Sequence, residues 1–290
     1  MQESLQTERR RVPAHRVSRW IFHRVCARHA EVPEYDDQRF RRRFFGYDVE
    51  STARFFARLE GLVEVEERSV LDVGCGRGAT CVGLARRGAA SVVGVDLEIA
   101  PQARQLVAGD PELAARIELV ETSGALAELG SQTFDVVLSK DSFEHYADPE
   151  SFILTIASFV APGGLLAIGF GPPWKSPTGG HLDYMTRVPW AHLLFPEEVI
   201  MDERRRFRPA EEARSFEEIR GGLNRMTLRR FEAIMRSSGL ECISLETNVS
   251  DNPVVRVMKV VAKLPPLREL FTTNVYGVWR KSAAGQNAPS

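Results

Sequence analysis

The chain has 290 residues, 43% of them hydrophobic, and a formal net charge of -1. That size suits one large α/β domain or two small ones, and the near-neutral balance gives no general drive toward nucleic acid or acidic membranes. The four cysteines, Cys26, Cys75, Cys81 and Cys242, form no CxxC pair, which argues against a zinc site or a disulfide framework and fits a reducing, cytoplasmic setting.

No apolar run is long enough to cross a bilayer. The polar start "MQESLQTERRRVPAHR" reads as no secretory signal. Residues 1–62 are expected to form a helical, Arg-rich cap. Within it, "STARFFARLEGL" sets Phe55, Phe56, Leu59 and Leu62 on one helical stripe, with Ser51 or Thr52 as cap. "RFRRRFFGY" is a basic–aromatic cluster. It reads as a solvated helix face with Phe44 and Phe45 turned inward; the other reading is a contact to phosphate or an acidic acceptor.

From Ser69 the pattern alternates. "SVLDVG", "SVVGVD", "RIELVE", "TFDVVLSK" and "LLAIGFG" read as five strands. "GATCVGLARRG" and "PESFILTIASFVAPGG" read as helices between them. Such alternation implies a parallel, doubly wound sheet with right-handed crossovers. After Gly171 the rhythm breaks. Residues 172–225 are rich in Pro, Gly, Trp and His, with a charged helical stretch over 196–220. So long an irregular insert reads as a lid over an acceptor site. "TLRRFEAIMRSSG" reads as a helix capped by Thr227, burying Leu228, Phe231, Ile234 and Met235. "LECISLET" and "TTNVYGVWRKS" read as the sixth and seventh strands. The tail, 283–290, is expected to be disordered.

The decisive stretch is "SVLDVGCGRGATCVGLARRGAASVVGVDLE", Ser69 to Glu98. Gly74, Gly76 and Gly78 let the backbone turn sharply and let a ligand lie on it. The free N–H groups where the next helix starts favour a carboxylate or phosphate. Asp96, ending the second strand, is placed to accept hydrogen bonds from ribose hydroxyls. The site should therefore bind a nucleoside carrying a negatively charged group. A dinucleotide fingerprint would place its last glycine at position 79, where this chain has Ala. Asp72 is awkward beside a pyrophosphate but natural beside an amino acid's ammonium.

"LDVGCGRG" resembles the first motif of class I S-adenosylmethionine (SAM) dependent methyltransferases, and "VVGVDLE" resembles their second. The run from Phe134 to Phe170 is similar to the small-molecule branch that contains the ubiquinone and menaquinone biosynthesis enzymes. The resemblance implies a Rossmann-like seven-stranded sheet whose last strand is antiparallel, inserted between the fifth and sixth. It implies SAM as cofactor, with Asp72, Gly74, Cys75, Gly76 and Gly78 around the methionine part, Asp96 on the ribose and Leu97 against the adenine. Ser123 stands where the family often has an acid on the adenine amino group. Ser139, Lys140 and Asp141 should run near the methyl and the methionine tail.

Methyl transfer to a hydroxyl, thiol or acidic carbon is helped by a general base. The fourth-strand loop "SKDSFEHYADP" offers His145 and Asp141, and the insert offers His181. His145 has a second reading, as a residue that begins or packs the next helix. In the insert, Trp174, Tyr184 and Trp190 are expected to wall the acceptor pocket, with ordinary packing as the other reading for the tryptophans; His192 reads as packing. His181 and Asp183 have a metal-pair spacing but no third ligand, and no metal is expected. Nucleic acid is not expected as substrate, because the loop lacks an "NPPY"-like run. The expected function is methylation of a small-molecule acceptor, preferentially at oxygen. A non-catalytic SAM-fold binding protein and an NAD(P)-dependent oxidoreductase are the rival readings.

Overall fold

The computed structural model describes residues 15–27 and 50–283. The basic–aromatic cluster at 39–47 and most of the tail lie outside the described residues. Seven strands form one sheet: β1 (Ser69–Val73), β2 (Ser91–Asp96), β3 (Ile117–Glu121), β4 (Phe134–Lys140), β5 (Val160–Phe170), β6 (Glu241–Thr247) and β7 (Val275–Arg280). Their order is β3-β2-β1-β4-β5-β7-β6. Strands β1 to β5 pair in parallel, and β7 runs antiparallel to both β5 and β6. This is the expected doubly wound architecture, with the last strand inserted between the fifth and sixth.

The central strands β1, β2, β4 and β5 are mostly apolar because both faces of the sheet are covered there, whereas the edge strands β3 and β6 are half polar. The pleat sends neighbouring residues to opposite faces. Val70, Val92 and Val136 enter one core, and Leu71, Val93 and Val137 enter the other.

The helices divide the same way. In chain order they are α1 (Arg16–Ile21), α2 (residues 50–58), α3 (Ala79–Arg86), α4 (Pro101–Ala108), α5 (Pro111–Ala114), α6 (Pro149–Ser158), α7 (Ala191–Leu194), α8 (Glu197–Phe207), α9 (Leu228–Ser237), α10 (Pro253–Val261) and α11 (Arg268–Phe271). Helices α2 to α5 cover the face carrying Val70, with Phe55, Phe56, Cys81, Leu84, Ala103 and Leu113 in the core. Helices α6 and α9 cover the other face, where Phe143 and Phe231 meet edge to face at 5.0 Å. Phe231→Ala would cost about 3–5 kcal/mol there.

Local chemistry sets the helix starts. Thr227 accepts the Arg230 amide to cap α9, and Asp148 accepts the Ser151 amide to cap α6 ahead of Pro149. The α9 stripe of Leu228, Phe231, Ile234 and Met235 is buried as expected. The α2 stripe is buried except for Leu62, which is exposed.

Two expectations are corrected, and two helices were not read at all. The helix expected to run to Gly164 stops at Ser158, and β5 already begins at Val160. The charged stretch is helical only over Glu197–Phe207, since Pro209 cannot continue it. Helices α4 and α10 fall where no helix was expected.

The insert packs on itself. Leu182, Met185, Val199, Ile200, Phe216 and Leu223 form a third apolar cluster, and Phe22 of the π-helical turn Phe22–Cys26 plugs into it. Arg225, at the insert's far end, bridges Glu197 and Glu217, tying that end back to the start of α8. Among the described residues, no helix is long and apolar enough to cross a membrane.

Candidate functional site

The chain passes from β1 to β2 on one side and from β4 to β5 on the other, so β1 and β4 lie side by side where the winding reverses. In open α/β sheets the ligand crevice forms at the carboxyl ends of such strands. Here it is a cleft of about 1000 Å³, walled by the turn after β1, the ends of β2 and β4, the loop after β3, and α6.

The floor is the glycine turn. Gly74, Gly76 and Gly78 all adopt left-handed φ, at 83°, 48° and 71°. Gly74 is the tightest point: a Cβ there would stand 2.2 Å from the Ser142 Oγ. Gly74, Cys75 and Gly76 line the cleft, whereas Gly78 turns into the start of α3 and does not. Asp96 stands at the rim. Its Oδ2 accepts the Gly76 amide at 2.8 Å, and its Oδ1 accepts the Glu98 amide. Leu97, 71% exposed, lies across the cleft mouth, with Ser123 also lining it. The Ser123 amide and the Thr122 hydroxyl both donate to Glu128, which holds this loop in place. That carboxylate had no motif around it and was missed in the sequence.

Asp72 does not line the cleft. It is buried beneath the turn, where the Cys81 thiol donates to it at 3.4 Å. Burial pushes its carboxyl up to about 6, against the thiol bond and the Lys140 charge, which pull it down. It supports the turn from below.

The far wall is the β4 end. Lys140 faces the cleft and its Nζ donates to the Asp141 carboxylate at 2.7 Å. Asp141 also lines the cleft, with φ of 52°, and accepts the Ser51 hydroxyl at 3.4 Å. Ser139, one residue earlier, points the opposite way. It is buried behind the wall and shares a 2.8 Å hydrogen bond with the Tyr146 hydroxyl. Tyr146 itself lines the cleft, and burial pushes its hydroxyl far up.

His145 lines the cleft in a short 3-10 turn, Phe143–His145, ahead of α6. Its Nδ1 lies 2.6 Å from the Gly222 carbonyl, and Gly221 lines the cleft beside it. A carbonyl only accepts, so Nδ1 carries a proton, and in the neutral form of the ring the lone pair is on Nε2. His181 sits behind this ring, edge to face at 5.8 Å, and does not line the cleft. Burial lowers its imidazole to about 4, helped by His145 and His192, and its buried Nε2 has no hydrogen-bond partner. Glu144, also buried, is raised to about 7 by burial, with Asp141 adding and His145 opposing.

The aromatic wall expected from the insert is elsewhere. Trp174 packs edge-on against Phe216 and His192, Trp190 against Phe271, and Tyr184 against Phe207. None of the three lines the cleft. The wall on that side comes instead from α6, with Ser151, Phe152 and Thr155.

The profile of the family described as "Methyltransferase domain" matches residues 35–245. The chain belongs to that family. The curated relatives of this methyltransferase-domain chain include the ubiquinone biosynthesis O-methyltransferase of Paracidovorax citrulli (strain AAC00-1), 40% identical over 110 residues, 37% of this chain and 44% of that protein. The protein of the same name from Rhizobium rhizogenes is 39% identical over 128 residues, 43% of this chain and 45% of that one. The chain thus spans less than half the length of the curated relatives it matches. Among solved structures, an S-adenosylmethionine dependent methyltransferase from Mesorhizobium loti superposes with a TM-score of 0.55 at 17% identity, over 80% of this chain and all of that one. Phosphoethanolamine N-methyltransferase 2 of Haemonchus contortus, solved with S-adenosyl-L-methionine, superposes at 0.52 with 16% identity, over 80% of this chain and 52% of that one. At those identities the superpositions show a shared fold.

Proposed function

We propose that this chain is a SAM-dependent methyltransferase that transfers a methyl group to an oxygen of a small-molecule acceptor. The observation that carries the reading is one continuous cleft in which the glycine turn and Asp96 face the Lys140–His145 loop. The residues present fit the cofactor: a cradle of Gly74 and Gly76, a rim carboxylate, and an exposed Leu97 beside Ser123. When bound, SAM supplies an electrophilic methyl on a positively charged sulfur. Asp96 would hold the ribose hydroxyls, and the Gly74–Gly76 backbone, whose own amides are bonded to Val95 and Asp96, would let the methionine part lie directly against it.

The protein's own work is at the acceptor. His145 Nε2 takes the hydroxyl proton as the oxygen is methylated. The Gly222 carbonyl fixes the tautomer that leaves Nε2 free to do so. Asp141, held by Lys140, accepts a hydrogen bond from a neighbouring donor group of the acceptor and so aims the reacting oxygen. His181, neutral and packed on the His145 ring, holds that ring in place. The insert, residues 172–225, reaches the cleft through Gly221 and forms the lid at this end. The O-methyltransferase names of the sequence relatives support oxygen as the atom methylated.

Calorimetric titration with SAM, S-adenosylhomocysteine and NADH tests the cofactor. Micromolar binding of the first two and none of the third is expected; NADH binding alone would overturn the reading. Release of S-adenosylhomocysteine with phenol-type hydroxyl acceptors, absent with amine analogues, tests the atom.

A further inference from the structure

Helix α10 has a composition that its surroundings do not explain. It reads PVVRVMKVV, and no residue in it is buried. Valine is a poor helix former, and nine residues are too few for a helix that stands on propensity alone. Asn252 caps it by accepting the Val254 amide, and Ala262 and Met258 seat one edge against the protein. Three of its five valines point the other way. Val254, Val257 and Val260 are 58%, 63% and 63% exposed, and Leu264 continues the stripe at 56%. At about 100° per residue Val254, Val257 and Val260 fall within roughly one third of the helix circumference, and Leu264 lies just past the helix end.

A row of charge borders the stripe. Arg256, Lys259 and Lys263 lie together on its outer flank, and no acidic residue occurs between Asp251 and Glu269. An exposed apolar stripe with a basic edge and no acid is the pattern of a helix that lies in a lipid–water interface, with its cations at the headgroup phosphates. A second copy of the same acid-free stripe would bring no negative charge to those cations.

The position in the fold fits this use. Thr247 at the end of β6 pairs with Val275, which pairs with Phe170 at the end of β5. The connection carrying α10 therefore leaves the sheet at its carboxyl edge, the edge onto which the cleft opens.

We propose that α10 is a docking element for an anionic lipid surface, with Val254, Val257, Val260 and Leu264 set into the interface and Arg256, Lys259 and Lys263 at the phosphates. The proposal is independent of the methyl-transfer reading. It is tested by sedimenting the full chain with phosphatidylcholine vesicles and with phosphatidylcholine–phosphatidylglycerol vesicles. Binding to the anionic vesicles is expected to exceed binding to the neutral ones at least tenfold and to fall with salt. Val257→Glu with Val260→Glu, and separately Arg256→Gln with Lys259→Gln and Lys263→Gln, should each weaken it at least tenfold. Both variants alter exposed side chains only, and unchanged melting and SAM titration would show that the fold and the cleft survive. Equal binding to both vesicles, binding to neither, or undiminished binding by the variants would overturn the proposal. So would a dimer of the wild-type chain that the paired glutamates dissociate.

Discussion

His145 is held by a segment far from it in the chain: its Nδ1 meets the carbonyl of Gly222, a residue of the insert, at 2.6 Å. The insert therefore decides which ring nitrogen is free to take a proton. His145→Ala removes that nitrogen without touching the glycine turn. Turnover should fall by about 10²–10⁴-fold, the usual worth of a positioned general base, with SAM affinity changed by less than about threefold. Steady-state release of S-adenosylhomocysteine, paired with a SAM titration, measures both. Turnover within tenfold of the wild type removes His145 from the role.

Asp96 carries the cofactor prediction. Its carboxylate sits at the cleft rim with one oxygen on the Gly76 amide. Asp96→Ala should weaken SAM binding by about 1.5–3 kcal/mol, the worth of charge-assisted hydrogen bonds, or roughly 10- to 150-fold. Calorimetry decides it. Full affinity in a folded variant would mean that the ribose is held elsewhere.

The sheet was legible because both its faces are covered. A strand such as SVLDV then buries Val70, Leu71 and Val73 on alternate faces and runs straight into Gly74, so its end shows in the chain. The site was legible only where residues are local. The glycine turn and Asp96 are joined by one βαβ unit, and both reach the cleft. Ser139 and Lys140 were both assigned to it, but adjacent strand residues point to opposite faces, and only Lys140 arrives. The contact between His145 and Gly222 spans 77 residues and leaves no trace in local pattern. Trp174 and Trp190 announced an apolar wall but not which cavity it walls. Helix α10 was not read in the sequence: its five valines, poor helix formers, fall on both its inner and its outer sides and leave no single apolar face to recognise.

Gly74 makes a steric prediction. An added methyl would stand 2.2 Å from the Ser142 Oγ and 2.7 Å from its Cβ, at a φ of 83°. Gly74→Ala therefore pays twice, in strain and in displacement of the β4 loop. We expect a stability loss of roughly 1–3 kcal/mol and SAM binding weaker by about tenfold or more. Adding Ser142→Gly should recover part of the stability, since the clash goes while the backbone strain stays. Thermal melting and titration of the single and double variants read both effects. Wild-type behaviour of Gly74→Ala would show that the turn has room to spare.

His181 makes the pH prediction. Burial lowers its folded-state value to about 4 from an ordinary 6.5. Between those values the unfolded chain binds a proton that the folded protein refuses, so this residue's contribution is fully present above 6.5 and is lost as the pH falls toward 4. Glu144, raised to about 7 from 4.5, works in the opposite sense, losing its contribution as the pH rises through that range. Both wild type and His181→Asn keep Glu144, so its slope cancels in their difference. Asparagine suits the left-handed φ of 52° at this position. The stability of wild type relative to His181→Asn should therefore rise by roughly 1–3 kcal/mol from about pH 5 to about pH 7.5. Denaturant unfolding of both proteins at the two values measures it. A difference that does not change with pH would mean that His181 titrates as an ordinary, solvated imidazole, and its packing against His145 would then have no electrostatic consequence.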